Sequence, residues 1–369
     1  MNIVVINKDR LENIPPLISV ICHLNDLGYN VHVITTGCGE NALRYFDDNN
    51  IGYNIIPDYK GGSVVGKVIG YLKYRRKVAH LLKQLSFDCL WVEGGNTILA
   101  LGSVLLNHKF ILQVSELYEN SPRMFKAINK VIHHASAVVM PEYNRTVLYQ
   151  VWFGLKKRPY VLPNIPAFMP SSDELVKLED KYNEKLKLLA NKIVVLYQGH
   201  IGAGRDLTFV AKAVQELGDN YVLLLLGKDH NTVHKLKELC NNIVFIDFIP
   251  APEYLVFTKN STIGILSYDP TSINNVYCAP NKLFEYAAYG LPMLGNDIPG
   301  LKYSLEYYGA GEIMDETNVE SIKNAILKIN NNVDSYIENS RKLFTSFDNQ
   351  AIIQSIIESV NTNEDAPAN

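Results

Sequence analysis

The stretch APNKLFEYAAYGLPMLG, Ala279 to Gly295, places a proline, an amide, an ammonium and a carboxylate within about two helical turns. Pro280 is tolerated near the first helical position, where its missing N–H would have no intrahelical partner. Asn281, Lys282 and Glu285 then crowd a helix amino end, whose unpaired N–H groups and dipole favour an anion. A carboxylate one turn inside the helix suits a bidentate hold on a vicinal diol such as ribose, and the lysine suits phosphate. The same residues also read as plain capping, with Glu285 only balancing the helix end. Leu283, Phe284, Ala287 and Ala288 are expected to face the core, and Gly290-Leu291-Pro292 stops the helix.

A second cluster is YQGHIGAGRDL, Tyr197 to Leu207. Gly199, Gly202 and Gly204, after an apolar run and before a helix-compatible one, let backbone N–H groups approach an anion. Arg205 adds a cation at that mouth. Neither the Gly-Lys-Ser/Thr of a P-loop nor GxGxxG spacing is present, and a purely structural turn is the other reading.

These clusters need elements to hold them. In the first half NIVVI, YNVHVITTG, CLWVEGG, KFILQVSE and ASAVVMPE read as short buried strands separated by helix-length segments, which favours a parallel, doubly wound sheet. After a charged helical stretch that starts at Ser171-Ser172-Asp173, the rhythm restarts with IVVLYQG, YVLLLLG, IVFIDFI, STIGILSY and LPMLGND. The expected organisation is α/β. Residues 1–166 form one Rossmann-like domain, residues 167–346 a second, and residues 347–369 a helix and polar tail returning to the first. Two such domains in tandem are expected to face each other across a cleft.

The motifs also carry a resemblance. APNKLFEYAAYGLPMLG closely resembles the PxKxFEYxAxGxP signature of retaining GT-B glycosyltransferases of family 4, and LYQGHIGAGRDL resembles the phosphate-loop region of the same enzymes. LLLLGKD, with Gly227, resembles their turn after the next strand. IVFIDFIPAPEYLVFTKNSTIGIL, with Phe248 and Ile249, resembles their nucleobase loop, and VLPNIP their interdomain link. The first half agrees in outline, QVSELYE standing where relatives often read HELY. The resemblance implies a GT-B fold and a donor site of Gly199, His200, Gly202, Gly204, Arg205, Gly227, Phe248, Ile249, Pro280, Asn281, Lys282 and Glu285. It implies chemistry assisted by Arg205, Lys282 and Glu116. The chain departs from the pattern at His200, Arg205 and Asp206, where arginine, lysine and glycine are common. Tyr277 stands where many members have a first glutamate, and Ser115 where they have a histidine.

The implied reaction moves a sugar from a nucleotide diphosphate sugar to an acceptor hydroxyl with its anomeric configuration kept. N–H donors, Arg205 and Lys282 would stabilise the leaving diphosphate. No DxD motif occurs, so neither cofactor nor metal is expected. Two other readings share the fold: a catalytically silent nucleotide-sugar-binding scaffold of a polysaccharide assembly complex, and a sugar-nucleotide epimerase. A dehydrogenase is disfavoured because Gly37-Cys38-Gly39 follows the second strand instead of the first.

Composition sets the surroundings. The 369 residues are 47% hydrophobic and 20% charged, ordinary for a globular chain long enough for two domains. Five scattered cysteines in no metal spacing read as reduced thiols. No apolar run approaches the roughly 18 residues that cross a bilayer, and MNIVVINKDR reads as a strand rather than a signal peptide, so a cytoplasmic protein is expected. The net charge of −3 hides an asymmetry: residues 1–165 hold 18 Lys+Arg against 12 Asp+Glu, and residues 166–369 hold 17 against 26. Much of the basic excess lies in residues 66–85, where Val68, Ile69, Leu72, Val78, Ala79, Leu82 and Leu85 can share a helical stripe away from Lys73, Arg75, Arg76, Lys77 and Lys83. That helix is either a core-packing element with a solvated face or a contact for anionic lipid at the inner membrane face. The expected partners are thus a nucleotide sugar, a glycan or lipid-linked glycan acceptor and an anionic membrane surface, and not nucleic acid.

Overall fold

A computed structural model describes residues 1–58, 64–202 and 204–362. The first half runs β1 (Asn2–Asn7), α1 (Pro15–Asp26), β2 (Asn30–Thr35), α2 (Glu40–Asp48), β3 (Gly52–Ile55), α3 (Val64–Leu82) and β4 (Cys89–Glu93). It continues with α4 (Gly95–Leu101), β5 (Phe110–Gln113), α5 (Pro122–Val131), β6 (Ala137–Met140), α6 (Tyr143–Phe153) and β7 (Tyr160–Val161). All its strand pairings are parallel, in the order β3-β2-β1-β4-β5-β6-β7. Parallel strands need crossovers that cover both faces, so the central strands are buried throughout, as in β4. The edge strand β3 alternates half-buried and exposed residues and therefore shows no apolar run in the sequence.

The second half runs α7 (Ser172–Lys181), α8 (Asn183–Leu186), β8 (Ile193–Gln198), α9 (Thr208–Leu217), β9 (Tyr221–Leu226), α10 (Val233–Leu239) and β10 (Ile243–Ile246). Then come α11 (Leu255–Lys259), β11 (Ile263–Leu266), α12 (Ile273–Val276), α13 (Asn281–Ala288), β12 (Met293–Asn296) and α14 (Pro299–Lys302). β13 (Gly311–Met314), α15 (Val319–Asn331), α16 (Val333–Thr345) and α17 (Asn349–Thr362) complete it. The second sheet is also parallel, ordered β10-β9-β8-β11-β12-β13. The charged stretch after residue 170 starts with a capping box, in which Ser171 and Glu174 satisfy each other's backbone N–H groups.

Contacts divide the chain into two units, Phe168–Phe347 and Met1–Ala167 joined by α17. Ile353, Ile356, Ile357 and Val360, spaced on one face of α17, are fully buried in the core of the first unit. Asn349 Nδ2 donates to the Pro163 carbonyl at 2.8 Å. Residues 363–369 of the polar tail lie outside the described residues.

Two expectations are corrected. α3 buries Gly66, Gly70, Tyr74, Val78 and Leu82, a stripe at every fourth position, while Val68, Ile69 and Leu72 are 52%, 38% and 48% exposed. With the two glycines on the buried side, the larger aliphatics of that stretch face out. In α13, Ala288, expected to face the core, is half-buried while Tyr286 is buried; Pro280 stands near the helix start as expected, as its N-cap. The cysteines are free, with Cys38 half-buried and the other four buried.

Candidate functional site

Open α/β sheets bind ligands beyond the carboxyl ends of their strands where the strand order reverses. In the second unit that reversal falls between β8 and β11. Gln198 ends β8 there, and Tyr268 follows β11. Lys282, in the first turn of α13, donates from Nζ to the Gln198 carbonyl at 3.2 Å. The same nitrogen is 4.5 Å from the centre of the Tyr197 ring and 5.4 Å from that of Tyr268. The Arg205 guanidinium lies 4.2 Å over the Tyr268 ring, and its Nη1 donates to the Gly204 carbonyl at 2.8 Å. Among the described residues no carboxylate forms an ion pair with either cation. Burial, reinforced by the Arg205 charge, pulls Lys282 down to about 7, against the attraction of Glu285. Two basic groups sharing aromatic faces without an ion-paired carboxylate are arranged to receive an anion.

The loops around them add two imidazoles. His200 Nδ1 and His230 Nε2 are 2.9 Å apart, and burial, then His230, Lys228, Arg205 and Lys282, hold His200 below the usual imidazole range. Gly199, Gly202 and Gly204 have φ of 123°, 98° and 71°, so the turn uses backbone that other residues rarely adopt. Gly227 has φ of 135°, and a Cβ there would lie 2.1 Å from the Gly199 carbonyl oxygen. The turn after β9 therefore packs directly on the loop after β8.

Glu285 is differently placed from the simple diol grip expected. It is 7% exposed, and its Oε1 accepts from Tyr254 Oη at 2.6 Å and its Oε2 from Gln198 Nε2 at 2.5 Å. Thr258 Oγ1 donates to Gln198 Oε1 at 2.8 Å, closing a network that joins β8, α11 and α13. Burial raises the Glu285 pKa, opposed by the Tyr254 hydrogen bond, the Lys282 charge and Gln198. Each carboxylate oxygen keeps an acceptor position beyond the one filled, so the group is oriented as well as structural. Asn281 is half-buried as the first residue of α13. On the loop after β10, Phe248 is 70% exposed while Ile249 is buried.

Glu116 belongs to the first unit. Its half-exposed side chain lies 3.8 Å from Nη1 of the buried Arg145. Sequence reading missed Tyr197, Gln198, Tyr254 and Tyr268 in the second unit, and the buried Glu93 at the end of β4 in the first. For Tyr197, Gln198, Tyr268 and Glu93 the signal was a polar or aromatic residue at or just past the end of an otherwise aliphatic strand; Tyr254, the N-cap of α11, carried none. No group of His, Cys, Asp and Glu suited to a metal ion occurs among the described residues.

No family model matches the chain. An uncharacterized glycosyltransferase of Haemophilus influenzae is 23% identical over 350 residues, covering 88% of each chain. Among solved structures, Anabaena Alr3699/HepE in complex with UDP and glucose is similar with a TM-score of 0.75 at 13% identity, over 98% of this chain and 100% of that one. A putative UDP-N-acetylglucosamine 2-epimerase from Listeria monocytogenes gives 0.66 at 16% identity, over 100% and 98%. With the two parallel sheets, these likenesses establish the fold as two Rossmann-like α/β domains of the GT-B type.

Proposed function

We propose that this protein is a glycosyltransferase that moves a sugar from a nucleotide diphosphate sugar to a hydroxyl acceptor, with retention of anomeric configuration. The observation that carries the reading is the pair Arg205 and Lys282, packed on Tyr268 without an ion-paired carboxylate at the strand-order reversal. A diphosphate matches that charge, and as a leaving group it needs fixed donors more than a general acid. The backbone of Gly199, Gly202, Gly204 and Gly227, with His200, would border the phosphates. Pro280, Asn281 and Glu285 would border the ribose, and Phe248 and Ile249 the base. Glu116 is the polar group assigned to the acceptor side. Support comes from the sequence resemblance, from the Haemophilus influenzae glycosyltransferase and from the UDP bound by HepE.

The acceptor is proposed to be a lipid-linked glycan intermediate of surface polysaccharide synthesis, met at an anionic membrane. α3 supports this: Val65, Val68, Ile69 and Leu72 are exposed beside Lys67, Lys73, Arg76 and Lys77. An apolar strip flanked by cations suits the interface of an anionic bilayer, and no described helix is long and apolar enough to cross one. A silent binding scaffold is favoured only by Tyr277 and Ser115 in place of residues the resemblance would supply. Release of nucleoside diphosphate from UDP-, GDP- and ADP-hexoses, with water as acceptor, separates the two. Slow release from one donor, unaffected by EDTA, is expected of a metal-independent transferase. Binding without any release would leave the scaffold.

A further inference from the structure

The first sheet reverses its strand order between β1 and β4, and there the end residues Asn7 and Glu93 pair side by side. Glu93 is 3% exposed; its Oε2 accepts from Asn7 Nδ2 at 2.6 Å and its Oε1 from Ser115 Oγ at 3.1 Å. Ser115 is half-buried whereas Glu93 is buried, so of the two side chains the serine is the nearer to solvent. A serine that gives its proton to a buried acceptor keeps its lone pairs for a ligand.

The loop carrying Ser115 is braced. Arg145 donates to the Ser115 carbonyl, and the Tyr149 hydroxyl donates to the Glu116 carbonyl at 3.0 Å. Tyr118 has φ of 59°, a left-handed conformation that a bulky residue keeps only when its surroundings impose it, and its hydroxyl accepts from the Gly95 N–H at 3.0 Å. Such bracing fixes the direction in which Ser115 presents its oxygen.

We infer that Ser115, oriented by Glu93, is a hydroxyl-recognition site of the first unit, its Oγ accepting a hydrogen bond from an O–H of a sugar ligand. The choice of a sugar rests on the glycosyltransferase reading; the geometry does not. Glu93 acts through Ser115 and is a positioning residue. Burial raises Glu93 to about 7, with the charges of Asp9 and Glu116 adding to it and the hydrogen bonds from Ser115 and Asn7 opposing it. The nearby cations are engaged elsewhere, Lys8 with Asp58 at 2.8 Å and Arg145 with Glu116 and the Ser115 carbonyl. Of the neighbouring tyrosines, Tyr74 donates to the Asn7 carbonyl and Tyr118 accepts from Gly95. Above that pH the carboxylate accepts the serine's hydrogen bond, and Oγ is left to accept one from the ligand. Below it the carboxyl can donate to Oγ, which turns the serine into a donor.

The test titrates the full chain with methyl α-D-glucopyranoside, methyl α-D-galactopyranoside and methyl α-D-mannopyranoside at pH 6 and pH 8.5, following the Ser115 and Asn7 amides by NMR. At least one glycoside is expected to shift both, with ~fivefold tighter binding at pH 8.5, the equivalent of one hydrogen bond. Ser115→Ala should lose the binding and Ser115→Thr keep it. Glu93→Gln should bind with no pH dependence, and UDP affinity should not change in any of the three. Binding by Ser115→Ala equal to that of the unaltered chain, or no shift from any glycoside while UDP binds, overturns the inference. Glycoside binding without UDP binding would instead uphold it and defeat the donor-site reading.

Discussion

At the scale of single residues, the account turns on a lysine that burial and Arg205 hold near pH 7. Free Lys282 is largely neutral above that pH, and a bound diphosphate restores its charge, so binding takes up a proton. Affinity for UDP should therefore fall as pH rises from 7.5 to 9, by up to ~tenfold per unit for one linked proton. Calorimetry in buffers of different ionisation enthalpy would show the uptake, and Lys282→Met should abolish it. A pH-independent affinity in the unaltered chain would remove Lys282 from the site. Lys282 and Arg205 were legible because each stands inside a local motif. Tyr268 and Gln198 were not, because what makes them matter is pairing across strands: Gln198 meets Glu285 and Thr258 only once β8 lies beside β11.

At the scale of elements, α13 is held by the same carboxylate that sequence reading assigned to a ligand. Glu285→Ala would leave Gln198 Nε2 and Tyr254 Oη without their acceptor, a loss expected to cost about 2–4 kcal/mol in urea unfolding. Glu285→Gln should cost less, since the tyrosine hydroxyl can turn to face an amide. Equal stability of Glu285→Ala and the unaltered chain would contradict the network. α3 makes the complementary point. Its basic character was plain in the sequence, but two glycines in its buried stripe shifted the apolar face, which periodicity alone did not reveal. Arg75 is tied to Ser103 at 2.7 Å, so the exposed Lys67, Arg76 and Lys77 are the residues to change. Replacing all three by glutamate should abolish binding to phosphatidylserine-containing vesicles at low salt, at about 1 kcal/mol per cation removed, while leaving UDP affinity intact. Failure of the unaltered chain to bind those vesicles would return α3 to a solvated face.

At the scale of the whole molecule, the alternation of strands and helices and the division into two units were readable from short apolar runs. The edge strands β3 and β13 were not: half-buried or exposed polar residues and glycine interrupt them, whereas the edge strand β10 shows the apolar run IVFI. α17 commits its four buried aliphatics to the first unit, although it follows the second in sequence. Ile353→Ala or Ile357→Ala should each cost about 2–5 kcal/mol, with the loss falling on the first unit. Hydrogen exchange faster in β1 and β4 than in β8 and β9 would check this; uniform acceleration would contradict it.

The central claim is that uncompensated cations at the edge of the second sheet hold a nucleoside diphosphate. Titration calorimetry of UDP, GDP and ADP into the unaltered chain, Arg205→Ala and Lys282→Ala tests it most directly. One nucleotide should bind the unaltered chain, and each substitution should weaken it by roughly 1.5–3 kcal/mol, the range for a charge-assisted hydrogen bond. Binding that both substitutions leave unchanged, or no binding of any of the three, would contradict the account.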